Sequence, residues 1–344
     1  MNSEAGKTVK ELPANAHVAI GICTFRRPQL LEKTLLSLKG MRIPGGCRIC
    51  VIVADNDADR SAEPLVNRVG PALGVPVHYH AEPRPGIPFA RNRVLAAAKD
   101  LDTDALIFID DDEYVDENWL VHLWSCYRKS DADALMGFVR TLYPENTPGW
   151  IVRGTFYQRD KVGNKKASTL FQALASVVVA PKWNGKSPRA TGERMNFGRT
   201  CNCLINFKKL IVEQDLSFDE DFGLQGGSDA EFFMRVIKKG GVIRWVEEAV
   251  VYEPLALDRM SLAYFIRRNF KTRNYAHEDQ RGVKRRVKMV LRGVLIGAGG
   301  LASFPVNLFR GRFYLVQSIR LVVIATGLLL SAAGIFIKWE EYGR

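Results

Sequence analysis

The chain has 344 residues, room for one large domain or two ordinary ones, and a hydrophobic fraction of 47% that is ample for a core. This composition excludes disordered and fibrous classes. The formal net charge of +12 is unevenly placed, because residues 281–344 hold eleven Lys/Arg against two acids, Glu340 and Glu341. A basic flank beside apolar segments suits an anionic membrane surface, and no nucleic acid is expected as a partner, since that would need a basic stripe over a folded face.

Residues 1–16 are polar and without periodicity and read as a loose leader, with order beginning near His17. Strand-like and helix-like segments then alternate: strand 18–23, helix 29–38, strand 49–54, short strand 77–80, helix 88–99 and strand 105–109. Such alternation predicts right-handed βαβ units in an α/β fold with a mostly parallel sheet. Residues 135–225 are less regular, with Pro144, Pro148, Pro181 and Pro188, and read as strands and long loops walling a substrate cleft. Pattern returns in a helix over 228–239, ended by Gly240-Gly241, and in short strands over 242–245 and 249–252.

The apolar strand 105–109 runs directly into Asp110-Asp111-Asp112-Glu113, at the carboxyl end of a strand, where open α/β sheets bind ligands. If the extended geometry persists, Asp110 and Asp112 point the same way. So much negative charge repels itself unless a cation joins it, and two oxygen donors suit Mg²⁺ or Mn²⁺ held mainly by a substrate diphosphate. The plainer alternative makes these acids the first turn of a helix over 114–124, favoured by the macrodipole.

Six cysteines in a chain of this length read as reduced cytosolic thiols. Cys47-x-x-Cys50 with Cys201-x-Cys203 is a weak zinc pattern, because the second spacing is unusual and no His is near; Cys50 reads as a small core residue.

The last segment differs in kind. Residues 314–337 are apolar apart from five polar positions, and residues 294–309 are apolar but interrupted by Gly297, Gly299, Gly300 and Pro305. Three readings stand: a hairpin crossing the membrane, helices lying partly in the interface, because Arg310 and Arg312 between them oppose export, or a buried soluble helical pair. Lys284-Arg285-Arg286 with Lys288 and Arg292 forms a basic collar suited to a cytoplasmic leaflet.

Four further pieces fall in a telling order: Val-Ala-Ile-Gly-Ile-Cys-Thr-Phe-Arg-Arg-Pro at 18–28, Val-Ala-Asp-Asn-Asp at 53–57, Pro-Phe-Ala-Arg-Asn at 88–92, and Gly-Gly-Ser-Asp-Ala-Glu-Phe-Phe at 226–233. With the triple Asp they resemble family 2 glycosyltransferases of the GT-A fold, a Rossmann-like nucleotide-diphospho-sugar transferase architecture. Within that family the chain is similar to bacterial exopolysaccharide enzymes of the succinoglycan glucosyltransferase type. The resemblance implies a catalytic domain over 17–255, and the charge and apolar runs beyond it read as a basic helical linker over 256–288 and an apolar membrane-associated helical tail over 289–344.

It also implies roles. Asp55 would accept a hydrogen bond from the base or ribose of a UDP-sugar, unless it only forms an Asx turn. Thr24 and Arg26 would join it as substrate contacts, and Arg91 would face the diphosphate at a helix N-terminus. Asp112 is the implied direct metal ligand, with Asp110 beside it nearer the sugar or ribose. Asp229 is the implied general base that takes the acceptor proton in an inverting transfer. The chain departs from the family in carrying Ser228 where Glu is usual, and Glu231 is the nearest substitute. Asn202, in a loop where Cys201 replaces the common Gly, is an implied contact to the acceptor hydroxyl. Trp150, Trp183 and Trp245 are candidates for sugar stacking, although scattered Trp is more often core. The Gln-x-x-Arg-Trp motif of processive synthases is absent, and Arg267-Arg268-Asn269-Phe270 only loosely occupies its region, which implies one sugar added per encounter.

The expected activity is metal-dependent transfer of a hexose from a UDP-sugar to a lipid-linked saccharide acceptor, at the cytoplasmic face of the bacterial inner membrane. A catalytically silent nucleotide-sugar-binding partner, or transfer to another lipid or a protein, are the alternatives. A nucleotidyltransferase ranks lower, since the Gly-rich, Lys-bearing phosphate loop is missing near the first strand.

Overall fold

A computed structural model describes residues 13–158, 187, 189–224, 226–275 and 282–337. Its elements begin with β1 (Ala16–Thr24), α1 (Pro28–Leu38), β2 (Cys47–Asp55), α2 (Glu63–Val69), β3 (Val77–Ala81), α3 (Ile87–Asp100) and β4 (Ala105–Asp110). There follow β5 (Tyr114–Val115), α4 (Trp119–Arg128), β6 (Ala134–Leu142), α5 (Gly149–Gly154), β7 (Arg194–Met195) and β8 (Cys203–Asn206). Last come α6 (Ser228–Lys238), β9 (Ile243–Pro254), α7 (Leu262–Tyr275), α8 (Val283–Arg310) and α9 (Arg312–Ala332). Contacts divide the chain into two compact units, one of Met1–Arg140, Arg189–Glu253 and Glu340–Arg344, the other of Thr141–Pro188 and Pro254–Trp339.

The first unit is built on a sheet of order β3-β2-β1-β4-β8-β6-β9-β5, with β7 paired to β9. β3, β2, β1 and β4 are parallel, as the alternation predicts. β8 then runs antiparallel to both β4 and β6, and β5 and β7 run antiparallel to β9, so the sheet is mixed. The parallel strands read as near-continuous apolar runs because helices cover both faces. Ile20, Ile22, Val51, Val53 and Ile107 pack with Leu31 and Leu35 of α1 and with Trp119 and Leu123 of α4. α1 begins with Pro28 in its first turn, where a missing N–H costs nothing, and buries Leu31, Thr34, Leu35 and Leu38 at helical spacing.

The pattern misleads in three places. The segment 114–124 opens as the short strand β5, and the helix starts only at Trp119. The two short strands over 242–252 are one strand, β9, of 12 residues. α2 carries no strong periodicity in seven residues and escapes notice.

In the second unit, Trp150 and Ile151 of α5 share an apolar cluster with Phe265 of α7 and with Phe313 and Val316 of α9. α8 and α9 pack closely because small residues permit it: a Cβ on Gly293 would meet Leu329 at 2.9 Å, and one on Gly300 would meet Leu321 at 3.0 Å. Ser303 and Asn307 on α8 both hydrogen-bond Ser318 Oγ, at 2.8 and 3.0 Å. By length and composition Arg286–Arg310 and Arg312–Ala332 each suffice to cross a membrane. These apolar helices fit a membrane-associated tail.

Candidate active site

The register aligns three strand ends. Thr24 sits opposite Asp55, and Cys23 opposite Asp110, so β1, β2 and β4 present Thr24, Asp55 and Asp110 along one carboxyl edge of the sheet. In an open parallel sheet this edge is the ligand edge.

The acidic run does not stay extended. β4 ends at Asp110, and the chain turns through Asp111 and Asp112, with Glu113 N–H donating to Asp110 O at 3.2 Å. The four acids therefore have different fates. Asp111, 5% exposed, turns inward and accepts from Thr24 Oγ1 at 2.8 Å and from Arg27 Nη1 at 3.4 Å. Burial holds its carboxyl above the usual range, against the pull of Arg27 and Thr24. Glu113 Oε2 accepts from the Asp110 N–H at 3.0 Å. Asp110, Glu113 and Cys201 bring ligand atoms within 4.8 Å of one another, while Asp112 is buried in the same turn. Glu113 and Cys201 are the partners that an alternation argument over Asp110 and Asp112 misses, because the turn breaks the period of two.

Around this edge the loops are stitched by side chains. Arg26, at φ 52°, donates from Nε and Nη2 to the two oxygens of Asp57, both at 3.1 Å, and from Nη2 to Asp59 at 3.0 Å. Those hydrogen bonds hold the Asp57 carboxyl below its ordinary value. Asp55 is fully buried; its Oδ2 accepts from the Ala62 N–H at 2.8 Å and the Tyr79 hydroxyl at 3.0 Å. Burial raises its pKa despite those donors. In this geometry Asp55 anchors the loop after β2. Asn56 does the same for the next loop, donating to Glu82 O and Arg84 O and accepting from the Gly86 N–H. Gly86, at φ 141°, has to be glycine: a Cβ there would lie 2.8 Å from Gly223 O.

Arg91 is the fifth residue of α3, one turn in from the N-terminus rather than at it. Its Nη1 donates to Ser228 Oγ at 2.8 Å, and its guanidinium lies 5.3 Å from the centre of the Phe218 ring. Desolvation pushes the Cys23 and Cys203 thiols up to about 12, opposed in both by Arg91 and reinforced by Asp110. Asn92 clamps the loop before α6, exchanging hydrogen bonds with both the carbonyl and the N–H of Phe218, at 2.9 and 2.8 Å.

Asp229 is the second residue of α6, half-buried, with Oδ1 accepting from the Ala230 N–H at 2.9 Å. Glu231 is committed elsewhere, to Arg235 Nε and Nη2 at 2.7 and 2.8 Å. It does not replace what Ser228 lacks. Asn202 is not brought to this edge. It is 0% exposed, at φ 48°, and its amide accepts from Trp119 Nε1 and donates to Phe138 O and Ala249 O. The left-handed residue of that loop is Asn202, which tolerates it, and not Cys201. Trp150 and Trp245 are core residues, 4% and 0% exposed, and Trp183 lies outside the described residues. Cys47 and Cys50 join no metal grouping among the described residues, and all six cysteines are free thiols.

The glycosyl transferase family 2 model matches residues 19–191. The chain is 35% identical to the succinoglycan biosynthesis protein ExoM of Rhizobium meliloti (strain 1021), over 95% of this chain and 96% of that one. Among solved structures it resembles S. aureus TarS, with a TM-score of 0.51, 13% identity, 91% of this chain covered and 55% of that one. TarS residues 1–349 in complex with UDP match with a TM-score of 0.48 and 13% identity, covering 94% and 93% of the two chains.

Proposed function

Because the chain belongs to glycosyl transferase family 2, we propose that this glycosyltransferase moves a hexose from a UDP-sugar to a lipid-linked oligosaccharide in exopolysaccharide biosynthesis, with inversion. The observation that carries the reading is the meeting of Arg91 with Ser228, beside Asp229, near the strand ends that present Asp110. A cation for the diphosphate and a carboxylate for the acceptor belong together in such a transfer. The acceptor oxygen bonds to the anomeric carbon, its proton passes to Asp229, and the bond from that carbon to the diphosphate breaks. Thr24, Arg26 and Asp55 act in this scheme by fixing the loops that receive the nucleotide.

The donor set fits a divalent cation: Asp110 and Glu113 offer hard oxygens within reach of one another, with Asp112 in the same turn. Mg²⁺ or Mn²⁺ there would neutralise charge on the departing diphosphate. Cys201 adds a softer donor, which suits Mn²⁺ better than Mg²⁺. The apolar tail and its basic collar support attachment at the cytoplasmic face of the bacterial plasma membrane, where a lipid-bound acceptor resides. Asn202 takes part only indirectly, by shaping the loop that carries Cys201.

The test is slow donor hydrolysis by the detergent-purified protein across a panel of UDP- and GDP-sugars, with Mg²⁺, Mn²⁺ or chelator. A UDP-hexose alone should be consumed, with metal, and Asp112→Asn and Glu113→Gln should both weaken the metal dependence of UDP binding. Turnover of a GDP-sugar, or equal rates in chelator, overturns the donor or the metal respectively.

A further inference from the structure

The tail helices leave open whether the membrane is crossed or only entered, and the packing of the second unit decides between these. We infer that α8 and α9 form a monotopic anchor lying in the plane of one anionic leaflet, with the Arg310–Arg312 turn on the same side as the start of α8. This rests on the membrane attachment proposed above.

The first observation is what flanks α9. Asn269 of α7 accepts from Arg320 Nε at 3.0 Å, and a Cβ on Gly327 would lie 3.0 Å from Phe270 O. Asn274 at the end of α7 donates to Ile335 O and accepts from the Ile337 N–H, at 2.8 and 2.9 Å. Contacts therefore advance together along both helices, from Phe265 beside Phe313 and Val316 to the last residues described. α7 carries Arg267, Arg268, Lys271 and Arg273, with Arg267 and Arg268 exposed. Were α9 to span the hydrocarbon, it would carry those cations into it, where charge is strongly disfavoured. The turn is held as well: Arg310 stacks on Tyr314 at 4.0 Å, and Arg153 of α5 donates to the Tyr314 hydroxyl at 3.1 Å.

The second observation is the shape of α8. At helical spacing Gly293, Ile296, Gly300, Ser303 and Asn307 turn to α9. The opposite side exposes Leu291, Leu295, Leu301, Val306 and Phe309, at 60%, 52%, 64%, 61% and 88%. Val290, Val294, Phe304 and Leu308 are exposed as well, so every side of α8 that α9 leaves open is apolar, which makes α8 the lipid-immersed helix of the pair, with α9 between it and α7. Charge agrees. Lys284, Arg286 and Lys288 mark one end and Arg310 and Arg312 the other, all exposed, so both ends seek anionic headgroups. A 28-residue helix is about 42 Å long, enough to set both basic ends on one surface.

The test is Arg312→Cys in the full chain, labelled by a membrane-impermeant maleimide in right-side-out and inside-out vesicles, with the parent chain giving the background of its six cysteines. Extra labelling is expected only when the cytoplasmic face is exposed. Extra labelling from the opposite side, or from neither, overturns the in-plane arrangement while leaving membrane attachment intact. A parent chain absent from the membrane fraction overturns the attachment itself. In flotation with phosphatidylglycerol vesicles, Leu301→Glu and Phe309→Glu should each lower the bound fraction about tenfold. Unchanged flotation for both, with the parent bound, shows that this apolar surface faces something other than lipid, such as a second copy of the chain, and overturns the inference.

Discussion

The Arg91 guanidinium donates to Ser228 Oγ at 2.8 Å, and Ser228 is only 1% exposed. A neutral hydroxyl thus holds the cation in place without cancelling its charge, whereas a carboxylate at 228 would form an ion pair with it. The departure from the common Glu-Asp pair therefore leaves the charge of Arg91 uncompensated by residue 228.

From this, Ser228→Glu should weaken UDP binding on the order of tenfold by neutralising Arg91, and Ser228→Ala should weaken it less, through loss of one charge-assisted hydrogen bond. Calorimetry with UDP and with uridine separates the effects, since uridine carries no phosphate and its affinity should hold. UDP affinity within about twofold in Ser228→Glu would remove Arg91 from the diphosphate site.

Arg26 and Asp57 give a pH signature. Asp57 is held below the ordinary carboxyl value by the guanidinium, so its stabilising contribution is present above the unfolded value, near 3.9, and fades as pH falls through the lower folded value. Asp57→Asn should accordingly lower the urea midpoint at pH 7, with the gap to the parent closing below about pH 4. A gap that is constant with pH would mean that the loop, and not the charge, is what the substitution disturbs.

Asn202→Ala tests stability and not binding. It strands the Trp119 indole N–H and the Phe138 and Ala249 carbonyls in the interior, which should cost about 3 kcal/mol in denaturant unfolding. Gly137→Ala should be destabilising for the same reason, because its Cβ would lie 2.3 Å from Asn202 Nδ2. A fully stable Asn202→Ala with a raised acceptor KM would return Asn202 to the acceptor side.

The parallel half of the fold is legible because β1, β2 and β4 are apolar runs with helices between them, and local pattern suffices for that. The antiparallel half is not, because β8 joins β4 from far along the chain and its four residues carry no alternation of their own. Site residues divide in the same way. Asp110 is readable at the end of an apolar run, but the inward turn of Asp111 depends on Thr24, 87 residues away. The partnership of Arg91 with Ser228 spans 137 residues, and nothing local to either residue announces it. Asn202 misleads because an Asn in a loop looks available, whereas the positive φ turns its amide into the core.

Asp229 is the sharpest commitment, because its neighbours narrow the choice of base. In the first turn of α6 the acids are Asp229 and Glu231, and Glu231 is engaged by Nε and Nη2 of Arg235, itself tied to Ser217 O. Among the described residues Asp229 makes a local contact with the Ala230 N–H, one that an amide oxygen can also accept, so Asp229→Asn should fold and bind UDP as the parent does. Transfer should nonetheless fall on the order of a hundredfold or more, the scale of a lost general base. Glu231→Gln breaks an i,i+4 pair that stabilises by about 0.2–0.5 kcal/mol and should leave turnover within about twofold. Single-turnover transfer and UDP affinity, measured on both variants, give the decision. Turnover within a few-fold of the parent in Asp229→Asn, with loss in Glu231→Gln, would move the base to Glu231 and require the Arg235 pair to open during the reaction.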